Sequence, residues 1–203
     1  MQSIHSKLIS RIYGSGRGWA FSKIDFSDLG SDGSIRLALM RLQESGTIRR
    51  VLRGLYDYPR FSKLLNEPMG PDLDQVAQAL ARKHGWRIQL SENTALNLLG
   101  LSTQVPAQAV YLSDGASKTY TIGKRQLFFK KRALRESGFK HRESELVVQA
   151  LKALGRDRIN SELRRTLAEA LPASTWRKMV GDTKTAPAWV HDVIRTIAEE
   201  VTQ

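Results

Sequence analysis

Apolar residues along this chain recur with two periods, and the switch from one to the other marks its elements. In residues 3–13, Ile4, Leu8 and Ile12 follow i, i+4, i+8 spacing with Ile9 beside them, while Lys7 and Arg11 fall on the other side. That spacing predicts an amphipathic helix, which GSGRG at 14–18 ends. Trp19, Phe21, Ile24, Phe26 and Leu29 crowd the next stretch and predict a short strand followed by one small helix, with Asp25 or Ser27 as its cap. Ile35, Ala38, Leu39 and Leu42 then fall at i, i+3, i+4 and i+7. They predict a helix that starts on a Ser34 or Asp32 cap, ends at Gly46, and turns Arg36, Met40, Arg41 and Gln43 away from its buried face.

From 47 the period shortens to that of a strand. TIRRVL and LYDY are β-prone runs separated by Arg53-Gly54, a hairpin signal, and Pro59 closes the unit. Helix, short helix, helix and hairpin within about 60 residues is the order of a winged helix-turn-helix. Residues 60–70 read as a linker with Pro68 and Gly70 at its end.

A second unit begins at PDLDQVAQALARKHG, a helix with Pro71 in its first turn, a stripe of Leu73, Val76, Ala77 and Leu80, and Gly85 as its stop. WRIQL, AQAVYLS, SKTYTIG and RQLFFKKR read as strands, SENTALNLLGL as a capped short helix and DGAS as a turn. Beyond residue 140 the pattern is helical: Leu146, Val147, Ala150, Leu151 and Leu154 share one face, then Leu163, Leu167 and Leu171, then Trp189, Val193, Ile197 and Val201. The fold class expected is α+β: a winged helix at 1–61, an α+β domain at 71–140 and a helical extension at 141–203.

Charge sharpens this picture. The 203 residues hold 32 Lys plus Arg against 20 Asp plus Glu, a formal charge of +12 that points to a polyanionic partner. Residues 1–61 carry 10 basic and 5 acidic side chains, 62–140 carry 12 and 6, and 141–203 carry 10 and 9, so the positive field belongs to the first two thirds. In a winged helix the exposed face of the third helix enters the major groove, where Arg pairs with guanine O6 and N7. Arg36 and Arg41 are the base-reading candidates, with Ser34 placed to meet a phosphate at the helix start. Arg49, Arg50 and Arg53 are candidates for the DNA backbone from the wing, and Arg17 is a weaker one. Strand alternation puts Arg49 and Arg50 on opposite faces, so at least one of them can serve only to cover core. A second basic cluster, Lys124, Arg125, Lys130, Lys131, Arg132 and Arg135, is interleaved with Leu127, Phe128 and Phe129. It fits nucleic acid, an acidic protein surface, or an edge strand guarded by lysines.

Other chemistries find little footing. There is no cysteine, which excludes disulfides and thiolate sites and suits a reducing cytoplasm. His5, His84, His141 and His191 form no HxxxH or HExxH pair, so no metal and no cofactor is expected. GSGRG follows a helix and lacks the GK[ST] ending of a P-loop, and no GxSxG elbow occurs; an enzyme is not expected. No apolar run approaches a membrane span.

The run from Ala38 to Tyr56, ALMRLQESGTIRRVLRGLY, resembles the winged-helix signature of the AbiEi-like antitoxins of bacterial type IV toxin-antitoxin systems. Ala95 to Gly115, with GLSTQVPAQ at its centre, resembles the segment that follows in the same family. The likeness covers residues 5–155 and leaves the last fifty residues unmatched. It implies an antitoxin and autorepressor that binds promoter repeats in double-stranded DNA and counteracts a nucleotidyltransferase-type toxin. Independently, one winged helix buries little surface and palindromic sites call for paired readers, so a dimer on DNA is expected. The alternatives are a module that neutralises an acidic partner directly and a stand-alone winged-helix regulator.

Overall fold

The computed structural model describes residues 3–64, 66–101, 108–132, 134 and 139–201. The fold is α+β with a helical C-terminal region. The chain forms two compact units, residues 1–88 with 118–128 and residues 89–117 with 129–203. This division differs from the three segments expected from the sequence, because the helix after the linker packs into the first unit.

In that unit, α1 (Ile4–Ser15) starts on Ser3, whose hydroxyl accepts the Ser6 N–H, and ends at Gly16. Strand β1 (Ala20–Phe21) leads into a 3-10 helix, Lys23–Phe26. The helix begins on Ser22, and Asp25, expected as a cap, instead reaches back to accept the Ser22 N–H at 2.8 Å. Helix α2 (Asp32–Glu44) buries Ile35, Ala38, Leu39 and Leu42, as their spacing predicts. Its cap is neither Ser34 nor Asp32 but Ser31, whose hydroxyl accepts the Ser34 N–H.

Strands β2 (Arg49–Leu52) and β3 (Leu55–Asp57) form the expected hairpin, and β1 adds to it in the order β1-β3-β2. Gly54 turns the hairpin with φ of 69°, a left-handed conformation that glycine adopts without a Cβ penalty. Leu8, Ile12, Phe21, Phe26, Leu39, Leu42 and Ile48 close the core, with the Phe21 and Phe26 rings edge to face at 5.4 Å.

The segment read as a linker folds as a small hairpin, β4 (Phe61–Ser62) with β5 (Glu67–Pro68). Helix α3 (Leu73–His84) starts on Asp72, with Pro71 outside rather than in the first turn, and stops at Gly85 in the left-handed region. It packs on β1, the first 3-10 helix and β3. Arg82 fixes that contact by donating to the Ala20 carbonyl at 2.8 Å and to Asp25 at 2.5 Å.

Strands β6 (Ile88–Leu90), β7 (Gln108–Ser113), β8 (Lys118–Ile122) and β9 (Arg125–Lys131) form a sheet in the order β6-β7-β9-β8. In the second unit, α4 (Glu92–Leu98) precedes α5 (Arg142–Leu154), a second 3-10 helix (Arg156–Arg158), α6 (Ser161–Ala170), α7 (Ala173–Asp182) and α8 (Ala188–Glu200). Their core gathers Val147, Leu151, Leu167, Trp176, Met179, Ile194 and Ile197. Helix α7 had not been singled out from the sequence. Among the described residues, no helix is long and apolar enough to cross a membrane.

Candidate nucleic-acid interface

The first unit sorts its cations into those the fold consumes and those it leaves at the surface. On α2, Arg36 is 65% exposed and pairs one turn back with Asp32 at 2.8 Å, an i, i+4 contact that costs little to open. Arg41 is exposed and has no side-chain partner among the described residues. Leu37 and Met40 lie exposed on the same helix. Ser34, expected to meet a phosphate, is half-buried at the helix start, and its hydroxyl donates to the Ser31 carbonyl at 2.8 Å.

The hairpin divides its three arginines as alternation requires. Arg49 stands opposite Asp57 in the register. It donates through Nε at 3.0 Å and Nη2 at 2.5 Å to a carboxylate whose side chain is 2% exposed, and through Nη1 to the Met69 carbonyl at 2.9 Å. The planar guanidinium, itself 32% exposed, is thereby committed to the fold, where it neutralises a buried charge on the partner strand. Arg50, opposite Tyr56, points outward, and Arg53 is exposed at the turn. Neither guanidinium has a partner among the described residues. Arg17 is also engaged: it donates to the Pro59 carbonyl at 2.9 Å and lies 4.7 Å from the centre of the Tyr58 ring.

The second basic cluster is spread along β9. Lys124 sits in the turn before it, and Arg125 donates to the Pro71 carbonyl. Lys130, Lys131 and Arg132 are exposed at its far end. Leu127 and Phe129 face inward and are buried, so these two do not interleave with the cations on one surface. Because β9 lies between β7 and β8, the guarded-edge explanation of its lysines does not hold. Arg135 lies outside the described residues.

A cleft of about 560 Å³ opens in the first unit, lined by Lys23, Arg36, Arg53 and Lys83 around Ile24, Leu39 and Tyr56. Lys83, near the end of α3, was not among the residues singled out in the sequence, and no local pattern marks it. Its Nζ donates to the Arg53 carbonyl at 3.0 Å. Burial holds the Lys83 ammonium below the usual lysine range, and the nearby charges of Lys118, Arg53 and Lys23 add to this. His84, next in sequence, is likewise shifted downward by burial and by Lys118 and Lys83, and its ring stacks on Trp86 at 4.6 Å.

Comparison with known proteins adds a family. A family model described as "Family of unknown function (DUF6088)" matches residues 7–178. None of the curated proteins matches the chain. Among solved structures, the chain is similar to the RV2827C protein from Mycobacterium tuberculosis, with a TM-score of 0.42 and 12% identity over 98% of this chain and 78% of that one.

Proposed function

The chain belongs to the DUF6088 family, and from that premise we propose that its first unit is a winged helix that binds double-stranded DNA. The observation that carries the reading is one of placement. Arg36 and Arg41 stand exposed on α2, the third helix of the α1, 3-10, α2 series, and the hairpin that follows it presents Arg50 and Arg53 outward with no partner among the described residues. In this reading α2 lies in the major groove, where Arg36 and Arg41 meet guanine edges and Leu37 and Met40 meet thymine methyl groups. The hairpin is the wing, and Arg50 and Arg53 hold phosphates.

Following the resemblance of the Ala38–Tyr56 and Ala95–Gly115 runs to AbiEi-like antitoxins, the chain acts as an antitoxin that represses its own operon and opposes a nucleotidyltransferase-type toxin. Pairing of two copies on palindromic repeats supplies the contact area that one such domain lacks.

Fluorescence anisotropy on duplexes from the chain's own upstream region tests the DNA reading. With Arg50 and Arg53 from each of two paired copies, about four phosphate contacts, log K falls against log salt with a slope near −3.6. The double variant Arg36→Glu with Arg41→Glu loses roughly 100-fold or more in specific affinity while circular dichroism stays unchanged. Affinity indifferent to salt, or to both substitutions, would overturn the assignment. For the antitoxin role, the expected outcome is that co-expression with a nucleotidyltransferase-type toxin found in the same operon relieves growth arrest; continued arrest, or an operon without such a gene, leaves a stand-alone regulator.

A further inference from the structure

Duplex reading does not account for the cleft that contains Lys83. A double helix can lie across its mouth but cannot enter about 560 Å³, a volume in the range of sites for one small ligand. Its walls are unbalanced in charge. Lys23, Arg36, Arg53 and Lys83 line it, whereas the carboxylate of Asp32 is already shared between Lys23 at 2.5 Å and Arg36 at 2.8 Å. Arg53 and Lys83 therefore have no carboxylate partner among the described residues, and Lys118 adds its field to theirs. Between the cations the surface is apolar, made by buried Leu39, half-buried Tyr56 and the exposed side of Ile24. Crowded cations around an apolar floor are complementary to a molecule that is anionic at one end and flat and weakly polar at the other.

We propose that this cleft binds a nucleoside monophosphate, with its phosphate between Arg53 and Lys83 and its base against Ile24, Leu39 and Tyr56. Arg36 and Arg53 belong both to this cleft and to the surface assigned to DNA. An occupied cleft therefore withdraws them from the duplex, and the nucleotide acts as an inducer that releases the protein from its operator. That last step rests on the DNA reading; the binding of the nucleotide does not.

Isothermal titration of the full chain with adenosine monophosphate, inorganic phosphate and a 5′-phosphorylated single-stranded hexanucleotide decides the matter. The expected result is saturable binding of the monophosphate, about ten-fold or more tighter than phosphate alone. Lys83→Met weakens it about ten-fold, Lys83→Arg restores it, and Lys178→Ala on α7 of the second unit leaves it unchanged. In the anisotropy assay the monophosphate displaces duplex from the wild-type chain. Lys83→Met binds duplex within about two-fold of wild type and resists displacement. Absence of saturable binding, or equal binding by Lys83→Met, would overturn the site. Tighter binding of the hexanucleotide than of the monophosphate would overturn the free nucleotide as its occupant. If no variant binds duplex while the titration behaves as expected, the DNA reading falls and the cleft stands.

Discussion

Residues 141–203 and residues 1–61 carry ten basic side chains each, but nine acidic ones answer them in the first segment and five in the second. In the C-terminal helices, pairs such as Arg164 with Glu200 and Arg195 with Asp192 sit on the surface of an apolar interior centred on Trp176. In residues 1–61, two of the five acidic groups are drawn inward, while Asp28 and Asp32 pair at the surface with Arg11, Lys23 and Arg36. Asp57 and Asp25 are nearly buried and hold Arg49 and Arg82, and Arg41, Arg50 and Arg53 are left without a carboxylate partner among the described residues. Equal numbers of cations thus serve opposite purposes. One set balances a surface, and the other gives a small fold its outward positive field without destabilising its interior.

The largest test of this contrast lies in the C-terminal core. Trp176→Ala removes a fully buried indole and should cost the second unit about 3–5 kcal/mol, read as a fall in its urea midpoint. Salt sensitivity of that midpoint should remain slight. Next come the neighbours Arg49 and Arg50. Arg49→Ala strands the Asp57 carboxylate and should destabilise the first unit by about 2–4 kcal/mol, less than a wholly buried pair because Arg49 is itself 32% exposed. Arg50→Ala should change stability by less than about 0.5 kcal/mol, yet reduce the salt slope of duplex binding by about 1 for each bound copy. Equal effects of the two substitutions on the midpoint would erase the distinction between interior and outward cations.

Gly54→Ala is a smaller perturbation. Placing a Cβ at φ of 69° should cost about 1–2 kcal/mol of stability, read as a lowered thermal midpoint. The mildest test uses acid. Arg11 donates to both oxygens of Asp28 at 2.6 and 2.7 Å and holds its carboxyl down at about 2. A depressed folded-state value stabilises above the unfolded value of about 3.9 and loses that contribution as pH falls through about 2. Asp28→Asn should therefore flatten the stability profile between those limits and lower it slightly, by an amount independent of pH, across neutral pH.

What the sequence disclosed followed the range of each interaction. The stripe of Ile35, Ala38, Leu39 and Leu42, the Arg53-Gly54 turn and the strands around DGAS are local patterns, and each element formed where its pattern placed it. Alternation separated Arg49 from Arg50 but could not say which faced in, because that depends on Asp57 in the partner strand and on the Met69 carbonyl twenty residues away. Helix α7 escaped because its inward signal is only Trp176 and Met179 within ten residues. Lys83 escaped for a different reason. Its position against Arg53 is made by the packing of α3 on β1 and β3, and no spacing within the helix reports it.

That packing sets a limit on how the N-terminal unit can be inherited. Arg82 closes the backbone carbonyl of Ala20 and the carboxylate of Asp25, and Leu73, Val76, Ala77 and Leu80 are buried along the same helix. A fragment that stopped at Pro59 would take from Asp25 its guanidinium partner and uncover apolar surface. Whatever this unit recognises, a gene fusion or domain exchange that transplants the specificity must therefore carry α3 with it.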